Sequence, residues 1–203
     1  MICSSWTGTL TWWLFAAVTY YGTLRMAERR AVQRPRPPLD DAGFDYAPSI
    51  PALTDICDAV GVLGVVAWML CVAALGTAAQ RELIRAMCDY HALGNLFSAS
   101  LHTGAILPMS DFKAPAVPLM GGSADKLMSN HTFNFGIFVH CTTLVHPGLL
   151  PAAHAWWALP ALVGAFSWCM LCMRCHYTVD IVLAWWAIAV LIKVNPQLAV
   201  PLL

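Results

Sequence analysis

His176-Tyr177-Thr178-Val179-Asp180-Ile181-Val182-Leu183-Ala184-Trp185-Trp186-Ala187-Ile188-Ala189-Val190-Leu191-Ile192-Lys193-Val194 places an imidazole and a carboxylate at the head of a long apolar run. About 20 apolar residues cross a bilayer as a helix. The stretch therefore reads as a membrane span with chemistry at its mouth. His176 and Asp180 are four apart, which on a helix puts them on one face within reach of each other. A carboxylate there fixes the tautomer and orientation of the imidazole and supports its charged form. Upstream, Ser129-Asn130-His131-Thr132 offers a second imidazole at the edge of another apolar run. From a separate segment, His131 is suited to give or take a proton at the oxygen on the far side of a phosphorus atom. That division of labour fits phosphoryl transfer and needs no metal.

Composition agrees with a membrane setting. The 203 residues are 59% hydrophobic and only 11% charged, with mean hydropathy +0.64, whereas soluble domains are about 25% charged. Eleven basic and eleven acidic residues cancel, which gives no reason to expect a nucleic-acid partner. The eight cysteines lie mostly within apolar runs and read as buried thiols rather than a disulfide framework. No basic n-region precedes Trp6 to Tyr20, so a retained first span is expected.

Outward from the two histidines, the pattern predicts an all-α, polytopic membrane protein of about six transmembrane helices. Its spans are 6–24, 59–79, 92–109, 131–150, 156–173 and 177–194, within a single domain covering 1–203. A linker at 25–51 holds Arg29, Arg30, Arg34 and Arg36 among prolines. Its second part, Pro38 to Asp45, reads as a loop rather than a helix. Gln80 to Tyr90 reads as a short amphipathic connector. Asn95, Ser98, Ser100, His102 and Thr103 dilute the third span, and polar residues at such depth face the bundle interior or a watery cavity. Six crossings put the loops holding His131 and His176 on one face.

At these residues the chain resembles the sphingomyelin synthase-related lipid phosphotransferases, relatives of the type 2 phosphatidic acid phosphatases. That family's first catalytic motif reads Cys-Gly-Asp, three residues, then Ser-Gly-His-Thr. Here Ser123-Ala124-Asp125-Lys126-Leu127-Met128-Ser129-Asn130-His131-Thr132 matches its aspartate, serine, histidine and threonine in register. The second motif, His-Tyr-Thr-x-Asp, is whole at His176 to Asp180. Pro37-Pro38-Leu39-x-Asp41, followed by Phe44-Asp45, resembles the family's proline-rich segment, and Leu107-Pro108 falls where a similar pair ends the third span.

The resemblance implies a type 2 phosphatidic acid phosphatase-like helical bundle. It makes His176 the nucleophile, Asp180 its orienting base and His131 the acid and then the base. The implied reaction moves a head group such as phosphocholine, phosphoethanolamine or phosphoinositol from a glycerophospholipid to ceramide. It passes through a phosphohistidine and releases diacylglycerol. Asp125, Ser129, Asn130 and Tyr177 are the candidate substrate contacts, with no metal or cofactor. Asn130 stands where the family has glycine, Ser123 and Ala124 where it has cysteine and glycine, and Ser98 where it has an arginine. Head group and acceptor stay open on these departures. The alternatives are a lipid phosphate phosphatase, a diacylglycerol head-group exchange enzyme, and a non-catalytic lipid-binding membrane protein.

Other patterns have plainer readings. Cys169-x-x-Cys172-x-x-Cys175-His176 has a metal-like spacing, but at helical positions in an apolar span the cysteines read as small packing residues. Asp125 is either a loop cap or a site contact. Lys and Arg concentrate in the loops on the catalytic face, and the positive-inside rule would put that face in the cytosol. The resemblance instead implies a lumenal or extracellular site in the Golgi, endoplasmic reticulum or plasma membrane. The partners expected are the bilayer, a glycerophospholipid donor and a lipid-alcohol acceptor, with oligomers possible and no nucleic acid.

Overall fold

A computed structural model describes residues 5–33, 40–50, 52, 53, 56, 64–104, 128–146, 152–174 and 176–194. Among these residues the chain is all-helical. The helices are α1 (Trp6–Gln33), α2 (Ala42–Tyr46), α3 (Val65–Leu75), α4 (Ala78–Gly104), α5 (Asn130–Val145), α6 (Ala152–Cys172) and α7 (Thr178–Val194). Asp125, Pro37 to Leu39, Leu107-Pro108 and Cys175 lie outside the described residues.

The all-α expectation agrees with this architecture. Two local readings are corrected. The connector at 80–90 is the first half of α4, which runs unbroken into the expected third span. Its start is set by a capping box: Thr77 N–H donates to Gln80 Oε1 at 2.8 Å, and Gln80 N–H donates to Thr77 Oγ1 at 3.3 Å. The acidic segment expected as loop contains the single turn α2, because Asp41 caps it by accepting from Gly43 N–H.

Among the described residues no helix is long and apolar enough to cross a membrane. The described part of α3 has 11 residues and α7 has 17, against about 20 for a bilayer. The first half of α4 carries Arg81, Glu82, Arg85 and Asp89.

α5 is central and packs against α4, α6 and α7, while α1 lies along α4. The core joins Met87 and Tyr90 of α4, Phe133 and Ile137 of α5, and Ala184 and Ile188 of α7. Gly136 lets α5 and α7 approach closely, since a Cβ there would stand 2.4 Å from Ile188 Cδ1. α1 is tied to α4 by Trp13, whose Nε1–H donates to His91 Nδ1 at 2.7 Å. On the same α4, Arg85 and Asp89 are buried, and Arg85 Nε donates to Glu82 Oε2 at 3.0 Å. The packing of α5 on α7 sets these two helices side by side.

Candidate active site

His131 stands in the first turn of α5, and Ser129 makes that turn. Ser129 has extended backbone, and its Oγ accepts from Thr132 N–H at 3.1 Å. A helix start leaves such N–H groups without partners, and a serine at the cap position supplies one. Ser129 is fully buried, so its hydroxyl is engaged in holding His131's helix.

His176 lies in the turn ahead of α7, not on the helix. Its contact with Asp180 is therefore closed by the turn, where helical spacing was expected to do so. Asp180, in the first turn of α7, reaches back: Oδ2 accepts from Tyr177 N–H at 2.9 Å. A carboxylate at this position also meets the positive end of the helix. The same oxygen lies 3.4 Å from His176 Nδ1, an ion-pair distance.

The two motifs meet at the rings. His131 Nδ1 is 3.3 Å from His176 Nε2, with ring centroids 5.5 Å apart and planes at 60°. Asp180 is fully buried and His176 almost so, while His131 is only partly buried. In the Nδ1–H tautomer of His176 the proton would face Asp180 Oδ2, and the Nε2 lone pair would face His131 Nδ1. In that tautomer the arrangement is a nucleophilic nitrogen with a proton donor beside it. At 3.3 Å ring meets ring, so a phosphoryl group enters only as the rings part.

Asn130 is buried beside this pair, and its Nδ2 donates to Asn95 Oδ1 of α4 at 3.4 Å. Asn130 Oδ1 and Ser98 Oγ are buried with no hydrogen-bond partner among the described residues. Tyr177 is fully buried, its ring 5.5 Å from that of Phe44. Of the residues named from sequence, the structure thus gathers Ser129, Asn130, His131, His176, Tyr177 and Asp180.

Two neighbours went without a role in the sequence reading. Asn95 counted only as a polar diluent of a span. Asp41 accepts from Thr178 N–H at 2.6 Å and from Thr178 Oγ1–H at 2.5 Å. The available signal was its place just before Ala42, typical of a helix cap, but nothing local says that it also caps α7. Among the described residues no cluster of three or more His, Cys, Asp or Glu side chains could hold a metal ion. Cys169 is partly buried and Cys172 buried.

Comparison with curated proteins and with solved structures yields no match. Residues 123–196 match the family model described as PAP2 superfamily C-terminal, a stretch that holds His131, His176 and Asp180. The all-helical architecture is consistent with that superfamily's helical fold. That stretch, about a third of the chain, is similar to the C-terminal part of the PAP2 superfamily, whose members act on phosphoesters.

Proposed function

We propose that the chain is a membrane-embedded phosphotransferase that moves a phosphoalcohol head group from a glycerophospholipid to ceramide or a similar lipid alcohol. The observation that carries the reading is the relay Asp180–His176–His131, with His176 Nε2 turned toward His131 Nδ1 at 3.3 Å. In the first step Nε2 attacks phosphorus, the bond to the diacylglycerol oxygen breaks, and that oxygen takes the Nδ1 proton of His131 in its imidazolium form, which is left neutral. In the second, the acceptor hydroxyl returns a proton to His131 and attacks phosphorus, and the P–N bond to His176 breaks. His131 thus serves as acid and then as base, and Asp180 supports the charge that His176 gains. Asp125, Asn130 and Tyr177 are proposed as substrate contacts, and Ser129 as the residue that seats His131.

The membrane setting is part of the proposal. It is supported by the apolar composition and by large apolar side chains left exposed on several helices: Leu14 and Val18 of α1, Leu162 and Trp168 of α6, Val182 and Trp186 of α7. Placement in the Golgi, endoplasmic reticulum or plasma membrane, with the site lumenal or extracellular, follows from the family resemblance.

The test uses membranes containing the chain or its His176→Ala variant, supplied with labelled ceramide and mixed phospholipids. A new labelled sphingophospholipid that vanishes in the variant is expected, and its mobility identifies the head group. No product from either protein would overturn ceramide as acceptor. The superfamily match accommodates water as acceptor equally well, so phosphate release from phosphatidic acid is measured alongside. Release that needs His176 but not ceramide would make the chain a lipid phosphate phosphatase.

A further inference from the structure

At the start of α7 the Asp180 carboxylate accepts from Tyr177 N–H. The acceptor for the next N–H, that of Thr178, comes from a segment 137 residues away in sequence. One carboxylate, that of Asp41, takes three donors: Gly43 N–H at 2.8 Å, Thr178 N–H at 2.6 Å and Thr178 Oγ1–H at 2.5 Å. Hydrogen bonds to an ionised acceptor are about twice as strong as neutral ones.

The same segment grips the turn at further points. Gly43 stands so close that a Cβ would lie 2.1 Å from Thr178 Oγ1. Arg174 has φ 59°, a backbone region that side chains disfavour. Its guanidinium lies 4.5 Å over the Phe44 ring, and its Nη2 donates to Ala47 carbonyl at 3.0 Å. Ile50 N–H donates to Cys172 carbonyl at 2.8 Å. Residues 41–50 therefore hold Cys172, Arg174 and Thr178, on both sides of His176.

We infer that Asp41 is a positioning residue for the phosphoryl-transfer site, acting through Thr178 to set the turn on which His176 meets Asp180. The inference rests on the reading of His176 and Asp180 as the reacting pair. His176 has no helical backbone of its own to hold it, so its ring direction follows from where Arg174 and Thr178 are fastened. Loosening Thr178 also moves Tyr177 N–H, the donor that seats the Asp180 carboxylate. Both ends of the His176–Asp180 contact then shift together.

The test uses the full chain in lipid nanodiscs, as wild type, Asp41→Asn, Thr178→Val, Thr178→Ser, the Asp41→Asn/Thr178→Val double variant, and Asp45→Asn. Asp45 is exposed on the same short helix and serves as control. Two readouts are taken: the nitrogen-15 NMR tautomer signature of His176, and steady-state transfer. Asp41→Asn and Thr178→Val are each expected to turn the single Nδ1–H signature into a mixture. Each should lower kcat about tenfold or more with KM nearly unchanged, as small misplacements of reacting groups do. The double variant should lose no more than Asp41→Asn alone, and Thr178→Ser and Asp45→Asn should match wild type. A wild-type signature and kcat in Asp41→Asn would overturn the inference, and so would equal losses in Thr178→Ser and Thr178→Val. Should Asp41→Asn fail to fold, the two Thr178 variants carry the same comparison. If wild type transfers no phosphoryl group at all, the proposed function fails, and the NMR signature still decides whether Asp41 sets His176.

Discussion

Ser129 and Asp180 are joined through their backbones: the Ser129 N–H donates to the Asp180 carbonyl at 3.1 Å. Each belongs to one of the two motifs, and each sits at a helix start. The bond fastens the cap of α5 to the first turn of α7, next to the His131 and His176 rings that face each other.

Replacing Asp180 by Asn removes the acceptor that holds His176's proton on Nδ1. Turnover is expected to fall about 10²- to 10⁴-fold, the range for losing an orienting carboxylate beside a catalytic imidazole. Substrate affinity should change little, because Asp180 is fully buried behind His176. Steady-state transfer assays separate kcat from KM. A variant with near-native kcat would remove Asp180 from the relay.

Ser129→Ala deletes the acceptor for Thr132 N–H. A lost cap costs about 1 kcal/mol of stability, and here the fraying end carries His131. Thermal unfolding in detergent should show the loss, together with slower transfer. Ser129→Thr, which keeps the hydroxyl, should restore most of both. Equal melting of wild type and the alanine variant would mean that the cap contributes nothing.

At the contact of α5 and α7, Gly136→Ala drives a Cβ into Ile188 Cδ1, 2.4 Å away. Overpacking of this kind costs about 1–3 kcal/mol. Ile188→Val removes that terminal carbon, so the double variant should recover part of the loss. Additive destabilisation in the double variant would show that the two positions do not press on each other.

Asn130→Asp keeps the size of the side chain and adds a negative charge beside the histidine pair. Two like unit charges in a partly buried setting repel by several kcal/mol at about 4 Å. KM for an anionic phospholipid donor is expected to rise about tenfold or more, with a smaller rise for a zwitterionic donor. Unchanged KM for both would place Asn130 away from the phosphate.

The sequence by itself was enough for the helical class and for the two histidine motifs. The apolar runs are continuous, and Ser129-x-His131 and His176-x-x-x-Asp180 set chemically distinctive residues at short, fixed spacings. Ser129 read as a substrate contact, and its capping of Thr132 N–H, only three positions away, came from the structure. The connector at 80–90 misled because its charges suggested an exposed joint. In the fold Arg85 and Asp89 are buried against neighbouring elements, and α4 passes straight through.

Tertiary structure alone decided the rest. It set His176 in a turn rather than on a helix, brought its Nε2 to His131 Nδ1, and gave Asn130 its contact with Asn95. It also delivered Asp41 to the start of α7. Local sequence governs helix and cap formation through interactions spanning three or four residues. Which side chain satisfies a donor left over at a helix start depends on the packing of segments far apart in the chain, and no local pattern encodes that choice.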